Sequence, residues 1–347
     1  MPHRSSGRLE TPLCSVLGCK VPILLAGMGG VARWELAAAV ADAGGYPTLG
    51  MVRESPELIA SEVTALRAAT DRDFAVNLIP AATDPALLDA QIEQCFALGI
   101  TAFSFFWDVM PEVIARVRDR GALVLHQVGS AAQARKAEAA GANVIIAQGI
   151  EAGGHVHGRT GSFALAEEIM QDIRLPVVIS GGVSTGKGLA AALALGAQGV
   201  QCGTAFLAAE ESFAHPFHKQ RVVDASGADT VLTDVFVLNW PKGAAVRVIA
   251  NSITKSLNGD LLGHDPDNLP RDPIAWDDGA ERYRFSTDSP LRTTTGDLEA
   301  MPSYAGQGAG LIRDVVPAAV RIERMVRDAV ACLDAGSARA ADQGMSR

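Results

Sequence analysis

The strongest constraint on this chain is a rhythm. Over roughly the first 210 residues, short apolar runs alternate with Ala-rich stretches of helical spacing. The apolar runs are Val21–Gly27, Tyr46–Met51, Phe74–Ile79, Ala102–Trp107, Leu123–Val128, Asn143–Gly149, Val177–Gly182 and Gly199–Leu207. The stretches after them are Arg33–Ala43, Pro56–Ala69, Pro85–Leu98, Pro111–Arg120, Ala131–Ala140, Phe163–Ile173, Gly186–Leu195 and Ser212–Val222. Runs that are apolar throughout, rather than alternating, fit strands buried on both faces, as in a parallel sheet. Eight strand–helix units in succession predict an α/β fold of the TIM (β/α)8 barrel type. A doubly wound sheet is the competing architecture. It usually has fewer units and opens on GxGxxG, whereas the first turn here reads Gly27-Met28-Gly29-Gly30.

Punctuation agrees with the rhythm. "ADAGGYPTLG", "FALGITAFSFF", "EAAGANVIIA" and "ALGAQGVQCG" each end an Ala- or Leu-rich run on Gly before the next strand, a helix C-cap pattern. Ser55-Pro56, Asp84-Pro85 and Ser184-Thr185 fit helix starts. The rhythm breaks over 224–310, where turn clusters dominate and "HDPDNLPRDPIAWDDG" reads as an irregular loop. "LIRDVVPAAVRIERMVRDAVACL" (Leu311–Leu333) reads as a closing helix, with a mobile tail from Asp334. The predicted organisation is an N-terminal extension (1–20), a barrel core (21–223), an excursion over the barrel mouth (224–310) and a C-terminal helix with its tail (311–347).

Composition narrows the partners. The net charge of −9 disfavours nucleic acid, because an acidic chain repels a polyanion. No apolar run is long enough to span a membrane, and Met1–Glu10 is polar, without an apolar signal core. Five scattered cysteines (Cys14, Cys19, Cys95, Cys202, Cys332) argue against a disulfide framework and for a reducing, cytoplasmic setting. Glycine supplies 35 of 347 residues, which makes the positions of the glycines worth following.

A barrel of this kind works at the C-terminal ends of its strands. Those ends hold Ala26-Gly27-Met28-Gly29, Asn77, His126-Gln127, Gln148-Gly149, Ser180-Gly181-Gly182 and Gln201-Cys202-Gly203-Thr204. Gly181-Gly182 before a helix start, with Gly203-Thr204 one strand on, reads as a phosphate cradle; tight strand-to-helix packing is the plain alternative. Lys187 either adds charge there or is a solvated helix residue. Asn77, Gln127, Gln148 and Gln201 are amides in apolar strands. They form an internal network, or they face a flat ring rich in N–H and C=O groups, such as a flavin. His155, after Gly153-Gly154, is the candidate for proton transfer, on a loop able to bend toward the barrel axis. His157 points outward or supports it. A metal set of His155, His157, His215 and His218 lacks well-placed carboxylates apart from Glu151, so no metal is expected. Cys202 reads as a small buried residue rather than a nucleophile.

The segments "NVIIAQGIEAGGHVHG" and "LPVVISGGVSTGKGLAAALALGAQGVQCGTAFLAAEES" resemble the nitronate monooxygenase family, formerly called 2-nitropropane dioxygenases. The same superfamily holds FMN-dependent enoyl-acyl-carrier-protein reductases and NAD(P)H:quinone reductases. The likeness starts at "VPILLAGMGG", passes "FAVNLI", and continues through "AHPFHKQ" and "AVRVIANSIT" to "SYAGQGAGLI". It implies a TIM barrel with non-covalent FMN. It also implies that Met28, Asn77, Gln148 and Gly153 contact the flavin. Gly181, Gly182, Gln201, Cys202, Gly203 and Thr204 would surround its phosphate and ribityl chain. His155 matches the catalytic histidine, which acts as base or holds the anionic substrate. In that family the nitronate gives an electron to FMN, and O2 completes oxidation to a carbonyl compound and nitrite.

Two departures bear on substrate. Val156-His157-Gly158 stand between His155 and Arg159, where nitronate-oxidising members have Arg-Gly directly after Gly-His. The first loop reads Ala-Gly-Met-Gly where many members have Ala-Pro-Met. The part of the excursion over 252–300 matches least. The expected partners are therefore a small-molecule substrate and O2, with a homodimer as the candidate assembly. An NAD(P)H-dependent FMN reductase of an enoyl thioester or quinone, and a non-redox barrel binding a phosphorylated metabolite, remain the alternatives.

Overall fold

The computed structural model describes residues 9–344, so the first residues of the N-terminal extension and the last of the tail lie outside it. Eight parallel strands form the central sheet: β1 (Ile23–Leu25), β2 (Thr48–Gly50), β3 (Ala75–Leu78), β4 (Ala102–Phe105), β5 (Leu123–Val128), β6 (Val144–Gln148), β8 (Val177–Ser180) and β9 (Gly199–Cys202). A two-residue strand, β7 (Gly154–His155), lies between β6 and β8 in sequence but joins another sheet. Neighbours run in the order β1-β9-β8-β6-β5-β4-β3-β2. The ring closes where the Leu25 N–H donates to Tyr46 O (2.9 Å) and the Tyr46 N–H to Ile23 O (2.9 Å). The predicted (β/α)8 barrel is the observed fold.

Seven helices follow the expected pattern: α2 (Trp34–Asp42), α3 (Pro56–Ala69), α4 (Pro85–Ala97), α5 (Pro111–Asp119), α6 (Ala131–Ala139), α7 (Ser162–Asp172) and α8 (Gly186–Leu195). Ser55 Oγ accepts from the Leu58 N–H, and Asp84 Oδ1 accepts from those of Ala86 and Leu87, as their capping positions predict. Gly44, Gly99, Gly141 and Gly196 all take positive φ behind their helices, which explains the recurring Ala/Leu-to-Gly pattern. Before the barrel, α1 (Pro12–Leu17) plugs its N-terminal end, with Leu13 and Leu17 packed on Leu24, Ala75, Leu125 and Val144.

The end of the barrel departs from expectation. The last apolar run is a strand only to Cys202; Thr204–Leu207 is a short helix, α9. An apolar run alone does not distinguish a buried strand from a buried helix. The stretch expected at Ser212–Val222 appears as α10 (Pro216–Asp224), started by His215 Nδ1 accepting from the Phe217 N–H. The outer ring is instead completed by α12 (Ala318–Gly344), which packs on α8 and α2. A side chain at Gly186 would meet α12 backbone, with Ala329 N only 2.7 Å away. The closing helix thus starts seven residues later than expected and runs past Leu333.

The excursion is ordered. Strands β10 (Thr230–Thr233) and β11 (Val246–Ile249) form an antiparallel sheet with β7, pairing Val246 with His155 and Arg247 with Gly154. After α11 (Ser252–Ser256), strands β12 (Pro273–Asp277), β13 (Ala280–Tyr283) and β14 (Thr295–Gly296) make a second small sheet. The segment expected as an irregular loop therefore holds a strand. Its overlooked signal is Asp278-Gly279, both at positive φ (48° and 82°), a two-residue hairpin turn between paired Asp277 and Ala280.

Candidate active site

The site follows from the two-residue period of the strands. Leu24, Ala75, Ala102, Leu125, Ile146 and Val178 share one apolar cluster with α1, at the closed end of the barrel. Two residues further along, the same inward rows carry Asn77, Ser104, Gln127, Gln148 and Ser180, joined by Gln201 of β9. These six polar residues floor a cavity of about 430 Å³ at the C-terminal ends of the strands. The barrel thus switches from an oily plug to an amide layer within one pleat.

The layer is only partly self-satisfied. Gln201 Nε2 donates to Gln127 Oε1 (2.6 Å), and Asn77 Nδ2 donates to Ser104 O (2.9 Å). Asn77 Oδ1 is buried without a partner. An orphaned buried acceptor is costly, so it is suited to an N–H supplied by a ligand. Gln148 has a use not anticipated from sequence. Its Nε2 donates to the His155 carbonyl (2.8 Å), tying the amide layer to β7.

At one end of the cavity the wall is backbone. Gly181 and Gly182 have φ of 100° and 71°, conformations that disfavour side chains. A Cβ at Gly182 would lie 3.1 Å from Glu151 Cγ, and one at Gly181 would lie 3.1 Å from Ala152 Cβ. Glu151 is held in turn by the Ser162 N–H (3.0 Å), and Arg247 anchors this loop through Ile150 O (2.9 Å). Met28, Gly153, Gly203 and Thr204 also line the cavity. Thr204 Oγ1 accepts from the Gly306 N–H (3.0 Å), which brings the 304–308 segment into the wall. Cys202 does not line it; the thiol is buried behind the wall and donates to Val183 O (3.4 Å), and burial pushes it up to about 12. Lys187 is exposed, outside the cavity. A glycine cradle beside an amide floor with a vacant acceptor fits a phosphorylated, flat heteroaromatic group such as the expected flavin.

The opposite end is aromatic. His155 is not on a free loop: pairing with β11 fixes its backbone. Its ring stacks on Trp240, with centroids 3.4 Å apart and planes 20° apart, and Trp107 stands edge-on to it at 6.0 Å. Nε2 is covered and has no hydrogen-bond partner. Desolvation, aided by the Arg53 charge, holds the imidazole well below its ordinary range. It is therefore neutral at pH 7 and competent to accept a proton. His157 Nε2 lies 3.1 Å from Asp108 Oδ1, and His218 Nε2 lies 3.0 Å from Tyr304 O. Of the four histidines weighed as metal ligands, His157, His215 and His218 have separate hydrogen-bond partners and His155 stacks on Trp240; no metal-holding cluster occurs among the described residues.

Sequence reasoning missed Arg53, Trp107, Trp240, Thr287 and Tyr304. Arg53 and Trp107 sit at strand-end loops, at β2 and β4, and both have positive φ (56° and 77°), a rarity outside glycine. Position after a strand could have flagged them. Nothing local marks Trp240, Thr287 or Tyr304, which reach the site only through the excursion's fold.

Comparison with known proteins gives a consistent answer. A family model described as nitronate monooxygenase matches residues 10–328. A nitronate monooxygenase of Paraburkholderia phytofirmans is 30% identical, over 91% of this chain and 94% of its own. A (3aS,4S,5R,7aS)-5-hydroxy-7a-methyl-1-oxo-octahydro-1H-indene-4-carboxyl-CoA dehydrogenase of Mycobacterium tuberculosis is also 30% identical, covering 95% and 99%. Among solved structures, FabK of Thermotoga maritima superposes with a TM-score of 0.78 at 28% identity, covering 95% and 99%. A nitroalkane oxidase of Streptomyces ansochromogenes gives 0.75 at 29% identity, covering 94% and 99%.

Proposed function

The chain belongs to the nitronate monooxygenase family, and from that premise we propose that it oxidises alkyl nitronates with O2 to a carbonyl compound and nitrite, with FMN as its flavin. It is an oxidoreductase of a flavoenzyme family. One arrangement carries the proposal: a glycine cradle and a neutral imidazole base face one cavity from opposite ends, across an amide floor. The imidazole is stacked on Trp240, and its buried Nε2 has no hydrogen-bond partner to compete for a substrate proton.

A single cradle favours a one-phosphate flavin, FMN. Gly181-Gly182 and Gly203-Thr204 form one cradle at adjacent strands, and the chain has no dinucleotide fingerprint beside them. Asn77 Oδ1 and the Gln127–Gln201 pair would meet the ring's polar edge. Bound there, the flavin supplies the electron acceptor. His155 takes the α-proton of a neutral nitroalkane or, for a preformed nitronate, donates no charge and serves to position it. Phe106 and Trp240, which line the cavity, give the substrate's alkyl part a dry wall, with Trp107 packed behind them.

Purified protein should be yellow and should release nitrite from an alkyl nitronate under air without NAD(P)H. A flavin-loaded enzyme that releases no nitrite ends this reading. One observation favours a second: the M. tuberculosis relative, matched along nearly its whole length, is named as a dehydrogenase of an acyl-CoA. Anaerobic bleaching of the flavin by an acyl-CoA thioester, with no nitrite from nitronates, would move the assignment to a thioester dehydrogenase, and bleaching by NADH or NADPH would move it to a reductase.

A further inference from the structure

The cavity contains a charge that the reading above does not use. Arg53 lies on the loop after β2 and lines the cavity. It has a backbone conformation that non-glycine residues seldom adopt, at φ 56°. Its guanidinium donates to Asn239 O and to Thr287 Oγ1 (3.3 Å), and it lies 5.8 Å from the centre of the Trp240 ring. These partners are neutral. No carboxylate among the described residues is within ion-pair distance of it, whereas the other arginines of the cavity wall are paired. Arg33 has Glu54 (3.6 Å) and Glu62 (3.3 Å), and Arg282 has Asp277 (3.0 Å).

A guanidinium offers five N–H donors in a planar fork that matches a two-oxygen anion. Two donors are engaged here. Keeping a half-buried cation without a counter-ion is unfavourable unless something else brings the negative charge. His155 cannot be that cation's substitute, because it is held neutral beside it.

We propose that Arg53 is the specificity residue of this site: it receives the anionic two-oxygen group of the substrate, a nitronate or a carboxylate, while the apolar body of the substrate lies against Phe106 and Trp240. This deepens the proposed function and rests on it for turnover, though not for binding. Asp288 is the strongest competing charge; it and Glu54 both line the cavity and favour the charged form of Arg53 from beyond ion-pair distance. Arg53 therefore sits under a weak internal counter-field that an incoming anion must displace.

The test is a titration of the flavin-loaded enzyme with benzoate and with neutral benzamide, followed by flavin difference spectra and tryptophan fluorescence. Wild-type protein should bind benzoate more tightly than benzamide. Arg53→Gln should weaken benzoate by about tenfold or more and leave benzamide unchanged, and Arg53→Lys should fall between. Equal losses for both probes, with a lowered unfolding midpoint, would show that Arg53 only latches Asn239. Failure of the wild type to prefer benzoate would also overturn the proposal. If Arg53→Gln does not fold, Asp288→Asn decides: benzoate should bind a few-fold tighter, and unchanged affinity counts against Arg53. Absence of nitrite from nitronates would refute the oxidase reading, while the benzoate titration would still judge Arg53.

Discussion

The two ends of the cavity are built in opposite ways. The cradle end uses residues that follow directly on β8 and β9, so strand, turn and helix start are all local. The aromatic end is assembled across long chain separations: His155 is paired to β11, stacked on Trp240 and faced by Tyr304, and Arg53 reaches Asn239 and Thr287. The barrel's repeating unit specifies the glycines of the cradle, and the later chain only buttresses them, through the Gly306 N–H on Thr204. Selecting a substrate draws on a segment added to the barrel, which brings Trp240, Thr287 and Tyr304 to the site.

That contrast is exposed to a direct break. His155→Ala should keep flavin affinity but lower turnover of a neutral nitroalkane by roughly 10²–10⁴-fold, the usual range for a lost general base. Preformed nitronate, which needs no deprotonation, should lose much less. Equal losses on the two substrates would show that the aromatic end does not act through proton transfer.

The converse change is at the cradle. Gly181→Val forces a branched side chain onto φ 100° and against Ala152. Flavin affinity should drop by roughly 100-fold, given a backbone strain of ~1–3 kcal/mol plus lost backbone contacts. Flavin fluorescence on titration of the apoprotein measures it. If flavin binding survives Gly181→Val but fails in Trp240→Ala, the division of labour is reversed.

Acid stability compares the two regions by a different route. Burial pulls His126, inside β5, and His218, which holds the Tyr304 carbonyl from α10, each down to about 4. Unfolded, each binds a proton near 6.5, so the unfolded state holds more protons between pH 6.5 and 4. Stability is therefore full above about pH 6.5 and falls as the pH drops toward 4, by up to about 3 kcal/mol per histidine. Urea unfolding at pH 7 and pH 4.5 checks this. His126 and His218 titrating in a single transition would show that barrel and excursion unfold as one unit; a first step abolished by His218→Leu alone would separate them.

The eight strand–helix units, the capping glycines and the amides of the barrel interior are local patterns, and each reads directly because burial on both faces leaves a continuous apolar run. Asn77, Gln148 and Gln201 stood out as polar interruptions in such runs. The β12–β13 hairpin was missed although Asp278-Gly279 encodes its turn, because its strands are short and half-exposed. The ring-closing role of α12 was hidden because it depends on the backbone contact at Gly186, more than a hundred residues away. Trp240 carries no local mark at all, since its importance comes from the partner it finds.

Trp240 also gives the mildest and most specific way to sharpen the comparison. Its ring covers one face of His155 and contributes to the desolvation that lowers the imidazole. A base is active when deprotonated, so a lowered value extends activity to the acid side. In wild-type enzyme, kcat/KM for a neutral nitroalkane should stay level as the pH falls through 6.5. Trp240→Ala lets water reach His155, and the imidazole moves up toward its ordinary 6.5. The Arg53 charge remains and keeps the shift incomplete. At pH 6 the variant should then be at most roughly fourfold less active than at pH 8, over and above any uniform loss from the missing wall. The acid limb thus separates two roles of one side chain: a drop equal at all pH values reports lost packing against substrate, and a limb shifted upward reports lost shielding of the base. An unshifted limb would mean that the barrel and β11, rather than the stacked indole, keep His155 dry.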